Sequence, residues 1–163
     1  LTRLVFEHVD AVDYAELITR DVGKKGRLDL VVLIENKDSQ SFKIRPPYHP
    51  KEVARFHRLL LEAKLEVQFE SRHEFLLVMD KKGHLAGGVF WKNTGPGIAH
   101  LEKIVIAPHY RNSYLSIRLA EELFNRLRLK KFEFLTVGFF QSGLFYKLGF
   151  EIDQKFSGLV KRL

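Results

Sequence analysis

At 163 residues, with 45% hydrophobic and 29% charged side chains, the chain has the size and balance of one packed domain, with room for an appendage. It contains no cysteine, which excludes disulfides, a cysteine nucleophile and thiolate metal sites, and fits a reducing cytoplasm. The net charge of +7 is spread along the chain without a helix-turn-helix or RNA-binding signature, and no apolar run approaches the ~20 residues of a membrane span, so neither a nucleic-acid nor a membrane partner is expected.

In chain order, Val9–Arg20 reads as a weak helix, with Val9, Val12, Leu17 and Ile18 on its apolar side. Gly23-Lys24-Lys25-Gly26 is a turn without the spacing of a nucleotide-binding loop. Leu28–Glu35 is a strand, and polar Asn36–Ser41 is a boundary. The expectation is a core domain over 41–163, preceded by an appendage or the tail of another domain over 1–40. The first residue is leucine, so the chain is expected to be part of a longer protein. Phe42–Arg45 is a short strand, and Pro50 opens a helix to about Leu65. Phe75–Met79 and Leu85–Trp91 form a hairpin about Asp80–Gly83, and Asn93–Gly97 turns the chain again.

The stretch from Leu101 to Glu122 carries the most information. Leu101–Ala107 is an apolar strand ended by Pro108, which cannot donate to a sheet ladder. Leu115, Leu119, Leu123 and Leu127 then mark one face of a helix, capped by Asn112 or Ser113. Unpaired amides at that helix start, its dipole and Arg111 together suit a phosphate. Arg126, Arg128, Lys130 and Lys131 close the helix, where cations suit the dipole. A strand at Phe132–Phe139, the run Leu144–Glu151, and short strands at Glu151–Lys155 and Leu159–Arg162 complete the chain.

Two segments resemble the signatures of the GNAT superfamily of acyl-CoA-dependent N-acyltransferases. One is Ile106, Pro108, Arg111 and the run Arg111–Ser116, which follows the order strand, Pro, Arg, phosphate loop, helix. The other is Phe145, Tyr146, Leu148, Gly149 and Phe150, which match F-Y-x-x-L-G-F with one residue fewer. The resemblance covers roughly Ser41 to Leu163 and implies an α/β fold: a central mixed β-sheet flanked by helices. The order from Phe42 on fits, with one helix missing or replaced by Glu66–His73. Tyr114 departs from the pattern, because the family has glycine there, and Ser116 takes the place of a second small residue. As a first-turn residue Tyr114 would point its side chain away and keep its N–H available.

The resemblance implies acetyl-CoA as co-substrate and a primary amine as acceptor. A free alkyl amine has a pKa of about 10.4, so a base must take its proton. Glu102 is the first candidate and His100 the second; two positions apart on a strand, they share a face. The remaining histidines show no metal spacing, so no metal is assigned. A phenol of pKa about 10 can protonate the departing thiolate, and the resemblance gives that role to Tyr146. It also implies that the backbone of Ile104, Val105 and Ile106 pairs with the pantetheine amides, freed by a bulge in that apolar run. Phosphate binding falls to Arg111, Asn112, Ser113, Tyr114, Leu115 and Ser116, with Gln141 on the pantetheine arm. A homodimer and a preceding domain are admitted as partners. Two alternatives remain open. One is a non-catalytic domain of this fold that binds acyl-CoA or regulates a larger protein. The other is a module that uses the positive charge to hold nucleic acid or acidic protein.

Overall fold

A computed structural model describes residues 32–35, 40–111, 114–138 and 140–163. The helix expected over 9–20, the turn at 23–26 and the first half of the strand expected over 28–35 lie outside these residues. The described elements are β1 (Val32–Glu35), β2 (Ser41–Arg45), α1 (Pro50–Glu62), β3 (His73–Asp80), β4 (Leu85–Gly95), β5 (Ile98–Ile106), α2 (Leu115–Leu129), β6 (Phe134–Val137), α3 (Ser142–Lys147), β7 (Glu151–Asp153) and β8 (Gly158–Arg162). From β2 on this is the order expected. The strands form one mixed sheet in the order β1-β2-β3-β4-β5-β6-β8-β7. Every pairing is antiparallel except β5 with β6. β1 lies at the sheet edge against β2, with Val32 opposite Ile44.

Alternation divides the core into two layers. Leu76 and Val78 of β3 join the cluster that buries Leu115, Leu119, Leu123 and Leu127 of α2. Phe75, Leu77 and Met79 face the other way, onto Val53, Phe56 and Leu60 of α1. The chain starts α1 with a capping box, in which His49 Nδ1 accepts from the Lys51 N–H and Glu52 reaches back to the His49 N–H. Pro50 takes the first helical position, where its missing N–H costs nothing.

Several boundaries move for identifiable reasons. α1 stops at Glu62, short of Leu65, because Lys64 turns left-handed (φ 63°) while its N–H bonds to Leu61 O and that of Leu65 to Leu60 O. No helix replaces the missing one: Glu66–Glu70 is irregular, pinned by buried Phe69 against the rings of Phe56, Phe75 and Phe90. β4 runs through the expected turn as far as Gly95, so the reversal falls at Pro96-Gly97, with Gly97 at φ 72°.

The bulge also falls elsewhere than expected. Opposite β4, Phe90 pairs with Lys103 and Trp91 with Leu101, which leaves Glu102 as the extra residue. The strand changes phase there: Ala99 and Leu101 before the bulge, and Ile104 and Ile106 after it, all face α2. Strict alternation would have sent the second pair to the other layer.

Candidate active site

The functional region lies where β5 and β6 part. Their parallel pairing covers Ile98–Leu101 against Phe134–Val137 and goes no further among the described residues. Beyond it, Ile104, Val105 and Ile106 still pair with Val89, Gly88 and Gly87 of β4 but, among the described residues, have no strand on their other side. They form one wall of a cavity of about 420 Å³, which Ala63, Leu65, Tyr110, Arg111, Tyr114, Leu115, Ser116 and Gln141 also line. That volume lies in the range of small-molecule and cofactor pockets. Two side chains reach across the gap. Gln141 Nε2 donates to Ile104 O at 3.4 Å, and Lys103 Nζ stands 4.3 Å from the centre of the Phe140 ring.

The junction between β5 and α2 carries the cation. Pro108–Tyr110 forms a 3-10 turn, and Arg111 Nε donates to Ile106 O at 3.4 Å, which turns the guanidinium along the cavity wall. Asn112 and Ser113, where the cap of α2 was expected, lie outside the described residues. The N-cap of α2 is Tyr114, left-handed at φ 62° and ψ 14°, with no side-chain cap. Tyr114 is therefore not in the first turn, and its side chain is 59% exposed. A glycine would take that backbone shape without strain, a physical reason for glycine at this point of the resembled signature.

The second signature is explained by how α3 ends. Gly149 takes φ 92°, its N–H bonds to Tyr146 O, and the Phe150 N–H bonds to Phe145 O at 3.0 Å. These are the two bonds of a Schellman stop, and the Phe145 and Phe150 rings meet at 5.1 Å to close it. Phe145 is fully buried, whereas Tyr146 is 48% exposed and outside the cavity lining. Tyr146 is thus not packed into the core.

A polar cluster interrupts the α1 side of the sheet. Register places His73 of β3 opposite Lys92 of β4, Lys92 opposite His100 of β5, and His100 opposite Thr136 of β6. The bulge sets Glu102 among them. His73 Nε2 donates to Glu102 Oε2 at 2.8 Å, Lys92 Nζ lies 3.6 Å from that oxygen, and His100 Nε2 lies 3.4 Å from Glu102 Oε1. The His73 hydrogen bond, with Lys92 beside it, holds the Glu102 carboxyl down at about 2. Burial pushes the His100 imidazole below its usual value against the opposing pull of Glu102. Near neutral pH the cluster therefore presents a carboxylate beside an uncharged imidazole.

Of the residues singled out in the sequence, the fold brings Ile104, Val105, Ile106, Arg111, Tyr114, Leu115, Ser116 and Gln141 around one cavity. Glu102 and His100 meet as a pair further back along β5. His73, Lys92 and Thr136, together with the cavity residues Ala63, Leu65 and Tyr110, were not foreseen. They join the site through cross-strand register or loop closure, which a period-2 pattern does not encode.

The sequence matches the family model described as an acetyltransferase (GNAT) domain over residues 44–155. No curated protein matches it. Among solved structures it is similar to the GNAT domain of PAT from S. lividans (TM-score 0.60, 12% identity, 83% of this chain and 98% of that one). It is also similar to an acetyltransferase of the GNAT family from Staphylococcus aureus MU50 (TM-score 0.57, 14% identity, 73% of this chain and 96% of that one). A third is the PaiA N-acetyltransferase from Thermoplasma acidophilum in complex with coenzyme A (TM-score 0.50, 16% identity, 71% of this chain and 72% of that one). Identities this low speak for the fold alone. No helix among the described residues is long and apolar enough to cross a membrane.

Proposed function

Because the chain belongs to the GNAT acetyltransferase family, as its match over residues 44–155 shows, we propose that it moves an acetyl group from acetyl-CoA to a primary amine. The observation that carries this reading is the parting of β5 from β6, beside Arg111 and the start of α2. An extended pantetheine arm fits a slot with one unpaired strand edge, as a peptide fits a sheet edge. The cavity-facing backbone groups of Ile104 and Ile106 are its partners, with Gln141 yielding Ile104 O and Arg111 yielding Ile106 O to it. The pyrophosphate belongs at the α2 start with Arg111, where Tyr114, Leu115 and Ser116 line the cavity, and Asn112 and Ser113 are assigned to the same contact.

The chemistry follows from charge. The acceptor arrives as an ammonium, attracted to the Glu102 carboxylate, and gives one proton to the His100–Glu102 pair. Its lone pair then attacks the thioester carbonyl; the C–N bond forms, the C–S bond breaks, and the thiolate takes a proton. Tyr146 is the proposed donor for that last step, and its exposure on α3 means that bound substrate must bring the thiolate to it. The acceptor itself is read by the cluster about Glu102 and by loops whose sequence carries no pattern.

A second reading has its own observation. Tyr114 stands at the phosphate position with a bulky side chain, which favours a non-catalytic acyl-CoA-binding or regulatory domain. Calorimetry with acetyl-CoA, followed by mass-spectrometric screening of an amine library with labelled acetyl-CoA, separates the two. Binding with transfer supports the enzyme, and binding without transfer supports the regulator. No binding by the native protein sinks the enzyme, and binding gained in Tyr114→Gly then supports a regulator whose site Tyr114 blocks.

A further inference from the structure

The slot beside β5 accounts for a pantetheine arm and a pyrophosphate. A CoA molecule carries more than that: beyond the pyrophosphate come a ribose, a 3′-phosphate and an adenine, and these must lie outside the slot. Tyr110 lines the slot and also lines a second cavity, of about 510 Å³. That cavity is bounded by the start of β2, the turn between β3 and β4, and the 3-10 turn at Pro108–Tyr110. It therefore adjoins the slot at its phosphate end, next to Arg111.

Its lining is unbalanced in charge. Lys81, Lys82, His84 and His109 all face solvent along it. Asp80 is the only carboxylate among the described lining residues, and both of its oxygens are committed within the fold. Oδ1 accepts the backbone N–H groups of Lys82 and His84, each at 2.8 Å, and Oδ2 accepts the Tyr110 hydroxyl. Among the described residues no acidic side chain pairs with Lys81 or Lys82, whereas Arg45, Lys92 and Lys130 each have a carboxylate partner. Two uncompensated ammonium groups over a cavity concentrate a positive field there, which suits a phosphate.

The same carboxylate fixes where those cations stand. Asp80 ties the amides of the lysine-bearing turn to the hydroxyl of the residue that divides the two cavities. The Tyr110 ring is held edge-on by Phe42 at 5.6 Å and by His109 at 5.0 Å. The exposed His109 ring leaves a flat face on which a purine can lie. From this arrangement we propose that the second cavity is the subsite for the nucleotide end of the donor: the adenosine leaves the slot past Tyr110, and Lys81 and Lys82 hold its 3′-phosphate. The assignment rests on the acyl-CoA reading of the slot and adds the residues that tell CoA from a pantetheine thioester lacking that phosphate. No bond forms or breaks there. A contact so far from the thioester is the same in the ground state and the transition state, so it acts on KM rather than on kcat.

Three ligands test it by calorimetry: CoA, dephospho-CoA, which lacks only the 3′-phosphate, and 4′-phosphopantetheine, which lacks the nucleotide. The native protein should bind CoA about 10-fold or more tightly than dephospho-CoA. Lys81→Ala combined with Lys82→Ala should make the two bind alike and leave the affinity for 4′-phosphopantetheine unchanged. Both side chains are exposed, so the melting temperature should hold. Lys81→Arg combined with Lys82→Arg should keep the preference. Arg111→Ala should weaken CoA and dephospho-CoA together and preserve their ratio. In the transfer assay, with the amine found in the library screen, the double alanine variant should raise KM for acetyl-CoA about 10-fold while kcat changes far less. If only Tyr114→Gly binds CoA, the same comparisons are made in that variant. Equal affinity for CoA and dephospho-CoA overturns the assignment, and so does a preference that survives the double alanine variant; either result leaves acetyl transfer standing. The expected preference without transfer to any amine overturns the enzyme and leaves the subsite in place. If neither the native protein nor Tyr114→Gly binds CoA, the subsite and the acyl-CoA reading fall together.

Discussion

Arg111 shows what one side chain contributes at the mouth of the slot. It follows a strand end and precedes a helix start, so in the proposed phosphate contact its charge would add to the positive end of the α2 dipole. A charge-assisted contact of this kind contributes roughly 1.5–3 kcal/mol, so Arg111→Ala should weaken CoA binding by about 10–150-fold with little change in melting temperature. Calorimetry on the variant checks it, and native affinity would remove the phosphate from this place. Glu102 has a measurable signature of another kind. Its folded-state carboxyl, at about 2, lies below the 4.5 of a free one, so its ionisation stabilises the fold above about pH 4.5. That contribution is lost as pH falls from about 4.5 toward 2. Thermal melts from pH 7 to pH 3 should therefore fall more steeply for the native protein than for Glu102→Gln; parallel curves would refute the assignment. Arg111 and Glu102 were legible as candidates because charge on an otherwise apolar strand and turn stands out. His73 was not, because its importance depends on a lateral neighbour two strands away.

At the scale of the element, α2 was the easiest to read, since its leucines repeat at i, i+4 and all four are buried. Its start was the hardest. Caps were expected at Asn112 or Ser113, but the chain turns at Tyr114 through a left-handed conformation that side chains normally avoid. The strain of a non-glycine residue there is of order 1 kcal/mol. Tyr114→Gly should therefore keep or raise the melting temperature and keep or improve CoA affinity. If the native protein binds no CoA and the variant gains binding, Tyr114 is a plug and the regulatory reading wins. The Leu148-Gly149-Phe150 run was legible as a motif, but its cause, a Schellman stop with a ring contact beneath it, appeared only with backbone angles. The bulge was expected within Ile104–Ile106 on grounds of apolarity. It sits at Glu102 because the phase of buried residues must change between Leu101 and Ile104.

Across the whole molecule, the order of elements was legible because each amphipathic period announces its own element. The lateral arrangement was not, and the site is a lateral object. If acetyl-CoA binds the described fold, it must raise the folding free energy by RT ln(1 + [L]/Kd), about 2.7 kcal/mol at a hundredfold excess over Kd. For a protein of this length that corresponds to a rise in melting temperature of roughly 5–10 °C. A duplex oligonucleotide should give none; the reverse result would move the function to the positive surface. The parting of β5 from β6 has a mechanical meaning as well. Among the described residues, only four residue pairs, Ile98–Leu101 with Phe134–Val137, carry the sheet across from its first five strands to its last three. This short seam is where the molecule should breathe. Amide protons of Phe134–Val137 should exchange with solvent faster than those of Leu76–Val78, which lie in the sheet interior. A molecule wedged into the slot would touch both sides of the seam and slow that exchange, so that holding the substrate and holding the two halves together become one act.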